Sequence, residues 1–192
     1  RGNSRKEGVA FSEGGCDNWA IVFNDSSSLF SKTNAALRKS PLILDLVSHI
    51  CKKKVDRYPD TMSYLYQRLS PGAKFAQDGT TFLHADTHYP TCKVVLYMSD
   101  VGDDDAPFLY CKGSHRLTYK RLHLEHNLAK RIGKLAKNHL SRRVPELGTS
   151  QMQALNLKPT PIKAKKNTLI IANHMGFHAR GAFAGKGERM TL

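Results

Sequence analysis

Short strand-like runs in the second half of the chain are the feature that most constrains the fold. Residues 93–98, 106–111 and 167–173 are mainly apolar, and polar or glycine-containing segments separate them. Runs of this length that are rich in Val, Ile, Leu and Tyr are typical of β-strands. Shorter segments of similar character predict further strands at 19–23, 63–69, 81–84, 176–181 and 188–192.

The first third of the chain is predicted to be helical. Three consecutive serines, at 26–28, can cap a helix that runs to about Arg38. Ser40 and Pro41 have the order expected of an N-cap and a first helical residue, so a second helix should begin there. A further helical segment, 116–143, carries leucines near helical spacing, and the stretch from Pro145 to Lys166 is predicted to be a linker.

This order of elements predicts an α+β fold with a mainly β core, built as an antiparallel barrel or sandwich. We expect one domain over residues 1–192, with a helical N-terminal part at about 26–55. The barrel is expected at about 62–192, interrupted by a helical insertion at about 116–143.

Composition favours a soluble globular protein. Hydrophobic residues make up 40% of the chain, and no apolar run reaches the roughly 18–20 residues that span a bilayer. No secretory leader follows Arg1, so we expect a cytoplasmic protein. The four cysteines show no C-x-x-C spacing, which favours ordinary buried thiols in a reducing compartment: Cys16, Cys51, Cys92 and Cys111.

The positive charge is concentrated in one segment. The formal net charge is +14, and residues 112–143 contain ten Lys or Arg against one acid, Glu125. Such a segment attracts anions, although a solvated helix face is the alternative. Tyr119 is its one aromatic residue, so base stacking is poorly supported and nucleic acid is a disfavoured partner. An anionic substrate is favoured, drawn by Lys130, Arg131 and Lys134.

A His-x-Asp pair, His84 and Asp86, lies at the end of the predicted strand 81–84. Residues i and i+2 of a strand project to one face, so imidazole and carboxylate should lie side by side. His178 follows the predicted strand 167–173 and completes the 2-His-1-carboxylate set that binds Fe(II) and leaves positions open. Arg189 and Thr191 share a face of the last strand and can hold the far carboxylate of 2-oxoglutarate.

Three segments resemble motifs of the phytanoyl-CoA dioxygenase family of Fe(II)/2-oxoglutarate-dependent oxygenases. Residues 84–89 (HADTHY) resemble its His-x-Asp motif, and 106–115 (APFLYCKGSH) resemble its strand that ends in Pro-Gly-Ser-His. The late apolar strand, with a histidine and an arginine about eleven residues on, resembles 167–173, His178 and Arg189. The similarity runs from about Leu65 to the C-terminus and excludes the basic insertion.

The resemblance implies a double-stranded β-helix, or jelly roll, that uses Fe(II), 2-oxoglutarate and O2. It implies hydroxylation of an unactivated C–H bond in a small or carrier-linked substrate, with release of succinate and CO2. Family halogenases place a small residue at the carboxylate position, so Asp86 implies a hydroxylase. His174 is an alternative to His178, but its spacing to Arg189 fits the family less well.

The resemblance also implies supporting roles for residues around the metal ligands. Strand residues that face the cosubstrate are expected at Tyr66, Gln67 and Tyr97. Residues expected to contact the substrate or to support the ligands are His88, Arg180 and His115.

Three departures from the family pattern fall at turns rather than at ligands. Lys112 replaces a proline, Ala106 replaces a glycine, and Asn167-Thr168 replaces Gly-Asp. Two other functions are consistent with the residues alone. One is a cupin-like non-redox metalloenzyme, and the other is a basic module on a barrel that binds nucleic acid or other anions.

Overall fold

The computed structural model describes residues 19–23, 31–56, 64–69, 81–135, 147–184 and 189–192. Within these ranges the chain forms four helices and eight strands. The helices are α1 (Ser31–Arg38), α2 (Pro41–Cys51), α3 (Tyr119–Leu135) and α4 (Thr149–Ala154). The strands are β1 (Trp19–Phe23), β2 (Tyr64–Leu69), β3 (Cys92–Tyr97), β4 (Phe108–Cys111), β5 (Pro159–Ile162), β6 (Thr168–Asn173), β7 (His178–Arg180) and β8 (Arg189–Thr191).

The strands form two antiparallel sheets. The larger sheet has the order β1-β2-β8-β3-β6, and the smaller has the order β5-β4-β7. In chain order, β4 and β5 of the smaller sheet lie between β3 and β6 of the larger sheet, and β7 lies between β6 and β8. The chain therefore passes repeatedly between the two sheets. The predicted α+β class with antiparallel sheets is confirmed, and closure into a jelly roll stays a prediction.

In the larger sheet, β8 lies between β2 and β3. Thr191 is opposite Gln67 on one side and Tyr97 on the other, and Arg189 is opposite Leu69. Arg189 and Thr191 are both buried, whereas Met190 between them is more exposed. This alternation places the predicted cosubstrate residues on the inner face of the sheet.

In the smaller sheet, β7 carries the second histidine and is extended by one residue of another segment. His84 and His178 form an isolated antiparallel bridge. The predicted strand 81–84 is therefore reduced to a single paired residue. Although only His84 is paired, its bridge to His178 still fixes the position of this segment next to β7.

Tyr97 links the two sheets through the core. Its hydroxyl donates to the Ile162 carbonyl at 3.0 Å and accepts from the Phe108 N–H at 2.9 Å. The ring is fully buried and packs with Val101 and Ile170. Since a buried hydroxyl needs partners, these bonds fix the strand pair β4–β5 relative to β3.

The predicted linker between Pro145 and Lys166 is wrong. Part of it forms α4, and part forms β5, which pairs along its length with β4. Pro159 and Pro161 conceal the strand in the sequence because proline cannot donate a ladder hydrogen bond. β5 is an edge strand, where this loss is tolerated.

The predicted helices are confirmed with different limits. α1 begins at Ser31, and the predicted capping serines at 26–28 lie outside the described residues. α2 begins as predicted, with Ser40 at the N-cap position and Pro41 at the first turn. The basic insertion forms α3 up to Leu135, and residues 136–146 lie outside the described ranges. No helix among the described residues is long and apolar enough to cross a membrane.

Two of the departures from the family pattern occupy backbone conformations that favour glycine. Ala106, at the family's glycine position, has φ 50°, and Asn167, at the other, has φ 66°. Asparagine tolerates the left-handed region better than alanine does. The backbone at Ala106 is therefore strained, because alanine adopts a conformation there that favours glycine.

Candidate metal centre

His84, Asp86 and His178 lie together in the structure. One ligand atom from each of them lies within 4.8 Å of the others. The His178 Nε2 atom is 3.0 Å from Asp86 Oδ2, and the His84 Nε2 atom is 3.5 Å from Asp86 Oδ1. Both imidazoles are buried, and their ring centroids are 4.6 Å apart. The three predicted ligands therefore converge on one small volume.

The strand geometry explains this convergence. The His84 N–H donates to the His178 carbonyl at 3.0 Å, and the His178 N–H donates to the His84 carbonyl at 2.9 Å. Residues paired in this way project to the same face of a sheet. Asp86 follows two residues later, and its N–H donates to the His174 carbonyl at 3.3 Å. The carboxylate is thus held on the same side as both rings.

The outer nitrogens of both histidines fix their tautomers. His84 Nδ1 is 2.7 Å from the Phe82 carbonyl, and His178 Nδ1 is 2.8 Å from the Gly176 carbonyl. A carbonyl can only accept, so each Nδ1 must carry the proton. In the neutral imidazole, each Nε2 therefore presents a lone pair toward Asp86. Metal-binding histidines typically have this arrangement, with a carbonyl orienting the outer nitrogen.

The protonation states suit a metal ion. Burial lowers the pKa of His84, which favours the neutral imidazole that binds metals. Burial alone would raise the pKa of Asp86, but the adjacent His174 and His178 rings and the charge of Lys93 outweigh it. The Asp86 pKa lies well below its ordinary value, so the group is an ionised carboxylate at neutral pH.

His174 is the third imidazole near the carboxylate. Its Nε2 atom lies 2.5 Å from Asp86 Oδ2, and its ring stacks on that of His178, with centroids 5.7 Å apart. It is partly exposed, whereas His84 and His178 are buried. The structure thus brings both candidates for the second histidine ligand to the site, and the carbonyl-oriented Nδ1 favours His178.

Lys93 is the site residue that the sequence did not reveal. Its Nζ atom lies 3.1 Å from Asp86 Oδ2 and 3.1 Å from His178 Nε2. It is the second residue of β3, and its neighbour Val94 points to the opposite, exposed face. A lysine in an otherwise apolar strand was the only available signal, and it does not identify a partner.

The predicted cosubstrate residues lie on the inner face of the larger sheet. Burial lowers the pKa of Arg189 to about 10, the charge of Arg180 acts in the same direction, and Tyr97 opposes it. The guanidinium stays protonated at neutral pH. Thr191 is buried two residues along the same face. Arg180, on β7, is close enough for its charge to affect Arg189, so two arginines share this region.

The other predicted cosubstrate residues are Tyr97 on β3 and Tyr66 and Gln67 on β2. The Tyr97 hydroxyl is used in the core hydrogen bonds to Ile162 and Phe108. Tyr66 and Gln67 lie on β2, where Gln67 is in register with Thr191. Their side chains lie outside the described part of the structure.

The structure places His88 at the surface and His115 in the turn after β4. The His88 side chain is 61% exposed, and its Nδ1 atom is 3.8 Å from Glu125 Oε2 on α3. His115 is partly buried in the turn after β4, and burial lowers its pKa. In that turn Ser114 contacts the residue before β7: its Oγ accepts from the Phe177 N–H at 2.8 Å.

Helix α3 is anchored beside the site. Arg121 is buried, pairs with Glu125 at 2.7 Å, and places its guanidinium 4.6 Å from the centre of the Phe177 ring. Phe177 directly precedes His178. Lys130 is exposed on the helix, and the side chains of Arg131 and Lys134 lie outside the described part. The single acid of the basic segment thus pairs with a buried arginine, and Lys120 and Lys130 are exposed on the same helix.

The donor set fits Fe(II). Two neutral imidazoles and one carboxylate on neighbouring strands are the ligands of non-haem iron sites with open positions. The absence of a C-x-x-C pair argues against zinc–thiolate ligation. The carbonyl partners of both Nδ1 atoms supply the outer support that such sites require.

Comparison with solved structures shows which proteins share the fold. The chain is similar to AviO1 from Streptomyces viridochromogenes Tue57, with a TM-score of 0.56 and 12% identity, over 98% of this chain and 72% of AviO1. It is similar to EvdMO1, with a TM-score of 0.57 and 12% identity, over 99% of this chain and 38% of EvdMO1.

A third similar structure is HygX from Streptomyces hygroscopicus with nickel and 2-oxoglutarate bound. The TM-score is 0.54 with 15% identity, over 97% of this chain and 71% of HygX. At these identities the similarity establishes the fold. No family model matches the sequence, and no curated protein matches it significantly.

Proposed function

We propose that this protein is an Fe(II)- and 2-oxoglutarate-dependent oxygenase built on a double-stranded β-helix. It hydroxylates an unactivated C–H bond of an anionic substrate and releases succinate and CO2. The main supporting observation is the orientation of the two imidazoles. In His84 and in His178, Nδ1 lies next to a backbone carbonyl and Nε2 faces Asp86. The similarity to HygX, whose structure holds nickel and 2-oxoglutarate, supports the proposal.

The metal would be held by His84 Nε2, Asp86 and His178 Nε2. These ligands occupy one side of the ion and leave other positions open. Because both rings are buried and oriented by carbonyls, they need little reorganisation to bind. When bound, iron with 2-oxoglutarate and O2 supplies the oxidising power for C–H hydroxylation.

Arg189 would bind the far carboxylate of 2-oxoglutarate. Arginine offers a planar fork of donors that matches a carboxylate, and burial strengthens such a pair. Thr191 adds a hydroxyl on the same face, and Gln67, in register with Thr191, extends the proposed pocket from β2. Tyr97 supports the proposed pocket through the hydrogen bonds of its hydroxyl to Ile162 and Phe108 of the smaller sheet. Arg180 supplies a second positive charge toward an anion.

The anionic substrate class follows from helix α3. Arg121 packs on Phe177 and Glu125 contacts His88, so the first half of the helix lies beside the site. Lys130, Arg131 and Lys134 would raise the local concentration of an anionic or carrier-linked substrate. Within the oxygenases, the motifs favour the phytanoyl-CoA dioxygenase family, and Asp86 favours a hydroxylase over a halogenase.

Succinate formation tests the proposal. Protein supplied with Fe(II), 2-oxoglutarate and O2 should convert 2-oxoglutarate to succinate slowly even without substrate. His84→Ala should abolish this conversion, and His49→Ala, at an exposed histidine on α2, should leave it unchanged. Metal-loaded protein that never forms succinate would overturn the proposal.

A cupin-like non-redox metalloenzyme is the second candidate. The observation that favours it is His174, which gives the site a third imidazole 2.5 Å from Asp86. If His174 bound in addition to His84, Asp86 and His178, four protein ligands would leave fewer open positions for a bidentate cosubstrate and O2. Metal binding that requires His174 equally with His178, without succinate formation, would favour this second candidate.

A further inference from the structure

The Lys93 ammonium contacts two atoms that the proposed metal site would use as ligands. Its ammonium lies 3.1 Å from both Asp86 Oδ2 and His178 Nε2. Both of these residues belong to the group of candidate metal ligands. The inner face of β3 carries Lys93, Val95 and the fully buried Tyr97, so the lysine points inward by strand alternation.

The chemistry of His178 makes this contact exclusive. Its Nδ1 donates to the Gly176 carbonyl, so in the neutral imidazole Nε2 carries one lone pair and no proton. That lone pair can accept from the Lys93 ammonium or bind a metal ion, but not both. Asp86 Oδ2 can accept more than one bond, although two cations at the same oxygen repel each other.

A cation beside these atoms also relieves a repulsion when no metal is bound. His178 Nε2 and Asp86 Oδ2 are both acceptors and lie 3.0 Å apart. Two lone pairs at this distance repel unless a positive group lies against both of them. The Lys93 ammonium, which donates to each, is the group that meets this need.

We propose that Lys93 is a built-in competitor for the metal site. Its ammonium holds Asp86 and His178 together before the metal arrives and must leave when the metal binds. This inference rests on the proposed metal centre. Lys93 is therefore a positioning residue that sets metal affinity, and its removal should tighten metal binding.

The test compares the affinity for Co²⁺ alone, measured by titration calorimetry, in wild-type protein and in Lys93→Met. Loss of a charged hydrogen bond that the metal must otherwise displace should tighten binding about tenfold. Lys93→Arg keeps the cation and should stay near the wild-type affinity. The control is Lys163→Met, which removes another lysine–aspartate pair, 3.0 Å long and exposed, far from the ligands in sequence.

Thermal unfolding gives a second readout. Without metal, Lys93→Met should melt below the wild type, because Asp86 and His178 then face each other without a cation. With saturating Co²⁺ the difference should shrink, so the stabilisation by metal becomes larger in the variant.

Equal or weaker Co²⁺ affinity in folded Lys93→Met would overturn the competition. A failure of the metal centre itself would look different. In that case the wild type would bind no Co²⁺, or would bind it equally well after His84→Ala. Both the proposed function and the role of Lys93 would then be wrong.

Discussion

His84 and His178 donate their backbone N–H groups to each other's carbonyls, at 3.0 and 2.9 Å. This single paired position, where a one-residue bridge joins β7, brings the two imidazoles together. The positions of the His84 and His178 side chains therefore depend on the backbone of the smaller sheet. A change that disturbs this bridge should weaken metal binding even if it leaves the rings intact.

The choice between the two histidines after β6 can be tested directly. His178→Ala should weaken Co²⁺ binding by more than about 100-fold, since even loss of an outer-shell partner commonly costs 10–100-fold. His174→Ala should cost less, because His174 contacts the Asp86 carboxylate rather than completing the ligand group. Calorimetric titration of both variants provides the measurement. Equal losses would identify His174 as a ligand.

Replacing Arg189 should separate cosubstrate binding from metal binding. In Arg189→Lys the charge remains but the forked geometry is lost, so the dissociation constant for 2-oxoglutarate should rise about tenfold or more. Co²⁺ affinity should change little. Titration of the Co²⁺-loaded protein with 2-oxoglutarate measures the effect, with Arg116→Lys at an exposed position as the control. An unchanged 2-oxoglutarate affinity would remove Arg189 from the proposed pocket.

The backbone at Ala106 predicts a stabilising substitution. Alanine with φ 50° costs about 1 kcal/mol that glycine does not, offset in part by glycine's greater freedom when unfolded. Ala106→Gly should raise the free energy of unfolding by up to about 1 kcal/mol in urea denaturation. Ala179→Gly, in the buried strand β7, should lower it instead. A loss of stability at both positions would contradict the explanation.

Thiol labelling should be slow at Cys92 and strongly dependent on pH. Burial, together with the neighbouring Cys51 thiol 3.7 Å away, raises the pKa of Cys92 to about 12. Because the thiolate is the reactive form, its fraction at neutral pH is very small and grows about tenfold per pH unit. Iodoacetamide labelling followed by peptide mass spectrometry should show this rise between pH 7 and 10. Fast labelling of the folded protein at pH 7 would contradict the raised pKa.

The sequence was enough to predict that His84, Asp86 and His178 would lie together, because their signals are local. His84 and Asp86 are two residues apart, and His178 follows a strong apolar strand. Strand alternation then places each side chain on a defined face. Arg189 and Thr191 were predicted to share an inner face for the same reason, and both are buried there.

Other features depend on pairing between distant segments, which one sequence does not reveal. Lys93 reaches His178 across 85 residues, and nothing in its own strand distinguishes it from a solvated lysine. β5 was missed because its prolines argue against a strand unless an edge position is known. His88 was expected to contact the substrate or to support the ligands, and this stays a prediction; its Nδ1 atom lies 3.8 Å from Glu125 Oε2 on α3.

The most direct measurement of the central claim is the visible spectrum of anaerobic protein mixed with Fe(II) and 2-oxoglutarate. Chelation of 2-oxoglutarate by iron in a 2-His-1-carboxylate site should give a weak charge-transfer band. We predict this band in the wild type, its loss in His178→Ala, and its retention in the exposed-site variant His49→Ala. Iron-loaded wild-type protein without the band would contradict the assignment as a 2-oxoglutarate-dependent oxygenase.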